Sequence, residues 1–136
     1  MTEMMVQVVT PDKVIYEGPA YKVIANGMDG IFTVMKNHSP MLTSLGIGEI
    51  RIERSGGNPL YIAADTGILE VASGTVRILS DDAVLGSEIN QAQIKLELER
   101  VERQKQKAKT REELLQQEIE VHKLLNRLQV SQRAIH

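Results

Sequence analysis

All ten glycines and all four prolines lie at or before Gly86, and from Ser87 to His136 there is neither. Glycine and proline punctuate a chain, because one supplies positive φ and the other forbids continued helix. Eighty-six punctuated residues followed by fifty without a breaker cannot share one architecture. The boundary predicts two domains, 1–86 and 87–136. Charge divides at the same place. Residues 1–87 carry six Lys and Arg against ten Asp and Glu, whereas 88–136 carry ten against eight. A mildly acidic part is therefore joined to a mixed-charge part, and neither has the basic footprint of a nucleic-acid binder.

The first part reads as short strands separated by turns. "EIRIER" (Glu49–Arg54) alternates strictly, with Ile50 and Ile52 inward and charges outward, the period of a half-buried strand. Gly56-Gly57 then offers positive-φ turn positions, so residues 48–54 and 60–64 are expected to pair as a hairpin. "GILEVASGTVRIL" repeats the arrangement, with Leu69 and Val71, a Ser73-Gly74 turn, then Val76 and Ile78. Upstream, "MVQVV", "KVIYE", "AYKVIA" and "IFTVM" are further β-rich runs, broken by Thr10-Pro11, Gly18-Pro19 and Asn26-Gly27. Eight to ten such strands predict an all-β sandwich or flattened barrel. With one Phe, three Tyr and no Trp, its core must be aliphatic.

The second part reads as helix. Ile94, Leu98 and Val101 form one stripe with Ala92 and Leu96 beside it; Leu114, Val121, Leu125 and Leu128 form another, widened by Leu115 and Leu124. Asn90 to Gln93 and Thr110 to Glu113 are capping-box candidates. Helices over about 90–107 and 111–131 follow, paired antiparallel so that Leu98 and Val101 face Leu114 and Val121. The fold class predicted is therefore α+β: an N-terminal β-sandwich and a C-terminal two-helix hairpin.

Little in the chain points to chemistry. Zero Cys excludes disulfides, thiolate metal sites and thiol catalysis, and suits a reducing compartment. The start "MTEMMVQVVTPDK" is expected to be neither a secretory signal nor a transit peptide, and no run approaches the roughly 20 apolar residues of a membrane span. His38 sits beside Ser39, but neighbouring side chains rarely form a nucleophile–base pair, and no second histidine stands in this half to build a metal site. Asn37 and Pro40 make the segment a turn, either satisfied in itself or facing a partner. A hydrolase using His38 with Asp65 lacks a nucleophile arrangement. "NGMDG" lacks the helix and the Gly-Lys-Ser/Thr ending of a phosphate loop and reads as a hairpin turn; Asp81-Asp82 reads as a solvated loop. Arg103, Lys105, Lys107, Lys109 and Arg111 run without an intervening acid, as a solvated turn or as a patch for an acidic protein surface.

The order of parts is specific. "GMDGIFTVMKNHSPMLTSL", then "DTGILEVASGTVRIL", then a breaker-free helical hairpin, resembles the epsilon subunits of bacterial F-type ATP synthases along the whole chain. The family's Gly-x-x-Gly falls on Gly27 and Gly30, its His-x-Pro on His38 and Pro40, its Gly-x-x-Glu-Val on Gly67, Glu70 and Val71, and its Asn-Arg-Leu on Asn126, Arg127 and Leu128. The resemblance implies a non-catalytic central-stalk subunit that joins the gamma subunit to the c-ring and regulates ATP hydrolysis. It would be peripheral on the cytoplasmic face of the membrane and held there only through the complex. It makes Ile31, His38, Pro40, Met41 and Leu42 rotor-contact candidates, although Ile31 stands where the family usually has an acid and Thr33 where it has a second glycine. It also implies that the hairpin can extend and present the five basic residues to the alpha and beta subunits. Some members bind ATP through Ile-Asp-x-x-Arg-Ala at the start of the first helix. Here Ile89 matches, Asn90 and Gln93 replace both charged residues, and Arg100, Lys123 and Arg127 keep positive charge where those members hold phosphate. No metal or tightly bound cofactor is expected, and ATP binding is expected to be weak at most.

Overall fold

In a computed structural model, which describes residues 3–134, ten strands precede two helices. The strands are β1 (Met4–Val9), β2 (Val14–Ala20), β3 (Lys22–Gly27), β4 (Gly30–Met35), β5 (Met41–Leu45), β6 (Gly48–Glu53), β7 (Leu60–Ala64), β8 (Gly67–Ala72), β9 (Thr75–Ser80) and β10 (Ala83–Leu85). A single 3-10 turn, Gly86–Glu88, leads into α1 (Gln91–Gln106) and α2 (Arg111–Ala134).

The strands form one hydrogen-bonded path in the order β10-β7-β6-β3-β5-β8-β9-β1-β2, with β4 on the other edge of β3. At its middle β3 and β5 pair only at Gly27 and Leu45, so the path divides there into two layers of five. Their inner faces meet in one aliphatic core. Val23, Val34, Ile50, Ile52 and Ile62 come from one layer; Val6, Val8, Leu69, Val76 and Ile78 come from the other. The alternation read in β6, β8 and β9 is thus the alternation of core and surface.

Both expected hairpins are present, Gly48–Glu53 with Leu60–Ala64 and Gly67–Ala72 with Thr75–Ser80. Ser73 and Gly74 both take positive φ, at 51° and 78°, the signature of a tight two-residue hairpin turn. Gly67 is required for another reason: a Cβ there would lie 2.2 Å from the Leu79 carbonyl oxygen. One expectation is corrected. Gly18-Pro19 does not break a strand, since β2 runs through it to Ala20; β2 is an edge strand, where proline costs no ladder bond. The pairing of β1 with β9 is parallel and joins segments some seventy residues apart, so no local signal announced it.

Helix α1 starts where Asn90 Oδ1 accepts the Gln93 N–H at 3.1 Å. Helix α2 starts where Thr110 Oγ1 accepts the Glu113 N–H at 3.1 Å, while Glu113 accepts the Lys109 N–H rather than closing the box on Thr110. The two helices share a small core of Ile94, Val101 and Leu124, flanked by Ile89, Leu98, Val121 and Leu128. Leu96 and Leu114, assigned to the stripes, are 65% and 36% exposed: Leu96 points away from α2, and Leu114 lies near the turn, outside the paired core. The hairpin core and the sandwich core are separate clusters.

Helix α2 makes most of the contact between the two parts, with polar and apolar atoms together. Asn126 donates to the Gly48 carbonyl at 3.0 Å, and Arg133 reaches Glu49 at 2.8 Å while lying over the Tyr61 ring. Val130 and Ala134 pack on Gly86, where a Cβ would stand 2.9 Å from the Ala134 Cβ. Any side chain at residue 86 would push the helix off.

Candidate docking surfaces

The residues expected to meet a partner lie at the two ends of β4: Ile31 beside the β3–β4 turn, and His38 and Pro40 in the loop from β4 to β5. Ile31, at the start of β4, is 76% exposed, and Leu42, outward on β5, is 72% exposed. Met28, in the β3–β4 turn, joins them: its N–H donates to the Ser44 carbonyl at 3.2 Å, which seats the turn against β5. Met41 differs, since it is half-buried and leans on the sandwich core, as alternation along β5 requires. Pro40 is exposed. His38 is exposed too, its N–H donating to the Met35 carbonyl and its Nδ1 to the Ser39 carbonyl at 2.8 Å. A carbonyl only accepts, so Nδ1 carries the hydrogen in this contact. Asn37, at φ 71°, sets the turn.

A second apolar surface was not legible from the sequence. Ser44 lies opposite Ile68, Ile68 opposite Leu79, Leu79 opposite Val9, and Val9 opposite Val14. These residues lie on the side of β5, β8, β9, β1 and β2 away from the core, with Val14, Ile68 and Leu79 exposed. Val9, Val14, Ile68 and Leu79 come from four different strands. Strand pairing assembles them into a band that continues, through Ser44, to Met28 and Leu42. Exposed apolar patches of this extent mark interaction surfaces. The next row, with Glu70 opposite Arg77 and Gln7 bonded to Glu17, gives the band a polar margin.

The basic run occupies the turn between the helices. Arg103 and Lys105 end α1, Lys107 caps it, Lys109 is in the turn and Arg111 opens α2. Lys105 is half-buried and the other four are exposed; among the described residues none of the five makes an ion pair. Positive charge at the C-terminal end of α1 also complements its dipole, so the local fold tolerates the run.

The six nucleotide candidates do not form a cationic pocket. Ile89, Asn90, Gln93 and Arg127 line one groove of about 280 Å³ with Asp82 and Glu97. Asn90 is engaged as the cap of α1, while Arg100 is exposed and lies outside that groove. Lys123 stands 3.6 Å from Asp65 and 3.7 Å from Glu120; Arg127 donates to Asp82 at 2.9 Å and stands 3.9 Å from Asp65. Two of the three cations are therefore covered by carboxylates of the sandwich. Asp65, in the β7–β8 turn, has a side chain only 8% exposed. Burial pushes its carboxyl above the ordinary range, and the Arg127 and Lys123 charges only partly offset this. Asp65 and His38 thus have separate partners, and nothing joins them as a catalytic pair.

No helix among the described residues is long and apolar enough to cross a membrane. Residues 3–86 match the family model described as "ATP synthase, Delta/Epsilon chain, beta-sandwich domain". The chain is 38% identical to an ATP synthase epsilon chain of Brevibacillus brevis over 103 residues, covering 76% of this chain and 78% of the relative. It is 33% identical to that of an Exiguobacterium species over 131 residues, 96% of each. Among solved structures, a chain of the Euglena gracilis mitochondrial ATP synthase superposes with a TM-score of 0.78 at 21% identity, covering 100% of this chain and 83% of that one. A chain from the central stalk and c-ring of the Tetrahymena thermophila mitochondrial ATP synthase gives 0.60 at 14% identity, covering 96% and 97%. At those identities the likeness is one of fold.

Proposed function

The chain belongs to the ATP synthase epsilon-chain family, and from that premise we propose that it is a non-catalytic rotor subunit whose sandwich docks on the stalk and whose hairpin regulates ATP hydrolysis. The sandwich, residues 1–86, is the docking unit, with gamma and the c-ring as its partners; residues 87–136 are the regulatory unit. Membrane association comes through the complex, on its cytoplasmic face in a bacterial cell.

One observation carries the docking half: the apolar band from Val14 through Leu79 and Ile68 to Leu42 and Met28, uncovered in the isolated chain. Burying such a band on a partner gains roughly 25 cal/mol per Å² of apolar surface, whereas leaving it in water invites aggregation. Ile31 extends it beside Met28, and His38 and Pro40 flank it beyond the start of β5. Ile31 makes this contact apolar where an acid would make it ionic.

The regulatory half rests on the separation of the two cores and on the free basic turn. A hairpin whose core is separate from that of the sandwich can leave without exposing the sandwich interior. Its basic turn would then meet acidic surface on the alpha and beta subunits. ATP binding plays little part, because Lys123 and Arg127 already face carboxylates.

The test is co-purification with the gamma subunit of the same source. The native chain should be retained, and Ile68→Asp with Leu79→Asp should weaken retention at least about tenfold, since two charges in an apolar interface core cost more than the 1.4 kcal/mol this represents. Both positions face solvent, so folding is unaffected. Undiminished retention of the variant would refute the assignment of the band.

A further inference from the structure

The buried carboxylate of Asp65 has no part in docking the sandwich. It is 58 residues from Lys123 in sequence, yet the two meet at 3.6 Å. Every charged group that faces it has been named: Lys123 and Arg127 from α2, and Asp82 from the β9–β10 turn. Asp82 and Asp65 differ in one respect that matters. Asp82 is 58% exposed and is satisfied by water if Arg127 departs; Asp65 is not.

We propose that Asp65 is the socket of a charge-operated catch, holding the hairpin on the sandwich only while Lys123 and Arg127 face it, and driving the hairpin off when they are neutralised. Docking strips water from an ionised carboxylate, and only the two helix cations offset that loss. With both cations present the hairpin stays. With them neutralised by substitution, or their charge screened by salt or met by a competing acidic surface, the buried charge regains its hydration by release of α2. The uncharged contacts across this interface do not behave in this way, and the Arg133–Glu49 pair is untouched by those substitutions. Asn126 with Gly48 and Val130 with Gly86 lose a bond or a packing contact on release, but neither becomes unfavourable in place. The catch therefore gives the hairpin a sign-sensitive response to charge, where a hydrophobic clasp would give none. Its use is the regulatory role proposed above, but its existence does not depend on that role, because it operates in the isolated chain.

The chain has no cysteine, so single cysteines at the exposed positions Ser55 and Gln104 carry spin labels without further change. Pulsed electron–electron distance measurement on the full chain then counts docked and released hairpins, while sheet amide resonances report that the sandwich is folded. Near neutral pH, Lys123→Gln with Arg127→Gln should raise the released-to-docked ratio at least about tenfold, which is 1.4 kcal/mol. The same pair of substitutions in an Asp65→Asn background should raise it less than about threefold, because no buried charge remains to be uncovered. Added salt should raise the native ratio more than that of Asp65→Asn, whose interface keeps only the Arg127–Asp82 and Arg133–Glu49 pairs for salt to screen. An equal rise in both backgrounds, or none in either, overturns the catch: the first would make Lys123 and Arg127 ordinary packing residues, the second would make them dispensable.

Discussion

Truncating Leu124 to alanine separates a chain with two independent cores from one that folds as a unit. Leu124 is 3% exposed and lies between Ile94 and Val101 in the hairpin core, which has no member in common with the sandwich core. The substitution removes three carbon centres from an apolar site, about 2.4 kcal/mol at about 0.8 kcal/mol per centre. A residual cavity adds to this, but helices on a surface can close over part of it, so about 3 kcal/mol is expected. That figure corresponds to a rise of about 150-fold in the local opening constant. Hydrogen exchange measured amide by amide is the assay. Amides of α1 and α2 should exchange on the order of a hundredfold faster, and those of β1, β8 and β9 should be unchanged. Acceleration spread evenly over helices and sheet would refute the reasoning, since it would mean that the hairpin and sandwich open together. Acceleration below about tenfold in the helices would show that Leu124 contributes much less than its burial implies.

Three other outcomes follow from the same structure. Residues 1–86 alone should give a cooperative melt with β-sheet circular dichroism and should still bind gamma; an unfolded fragment would place the boundary wrongly. Asp65 should titrate above its ordinary value of 3.8, because burial raises it, so its contribution to stability is fully present below 3.8 and is lost as pH rises through the elevated value. A carbon-13 titration of its carboxyl shows this directly, Asp65→Asn should flatten the stability profile across that window, and a midpoint at or below 3.8 would contradict the burial argument. Calorimetry should find ATP binding on the order of a hundredfold weaker than in a chain with the complete Ile-Asp-x-x-Arg-Ala motif, since two charged hydrogen bonds of roughly 1.5–3 kcal/mol each are missing; micromolar affinity would show that Arg100 and Arg127 suffice.

What the sequence disclosed followed the range of each interaction. Ile50 with Ile52, Leu69 with Val71 and the Ser73-Gly74 turn are local patterns, and each has its expected place. The two helices and the Asn90 cap are also local. Leu96 and Leu114 fitted the stripes by spacing, but the helix faces wider than their contact leave them in solvent. Strand β2 passes through Pro19 because it lies at an edge, which is a property of the whole sheet. The parallel β1–β9 pair and the band from Val14 to Met28 need strands that are distant in the chain. Asp65 entered only as the acid of a hydrolase that lacks a nucleophile, and Lys123 and Arg127 only as weak nucleotide candidates, because their meeting depends on how α2 lies across the sandwich. The Asn-Arg-Leu run at Asn126 to Leu128 gains a physical content from this. Asn126 holds a sandwich carbonyl, Arg127 a sandwich carboxylate, and Leu128 flanks the hairpin core.

Regulation through the hairpin is the central claim, and its energetics permit two states. Opening the turn converts 107–110 into continuous helix, which gains backbone bonds but loses the Thr110 cap, worth about 1 kcal/mol, and the contacts of Leu98, Val101, Val121 and Leu124. Opposed terms of this size leave an equilibrium that a partner can shift. The most direct measurement is ATP hydrolysis by the assembled complex after residues 87–136 are deleted. Hydrolysis should rise while assembly is retained, and neutralising Arg103, Lys105, Lys107, Lys109 and Arg111 should reproduce part of the rise, with an effect that shrinks at high salt. Unchanged hydrolysis in a fully assembled complex would make the hairpin a passive brace.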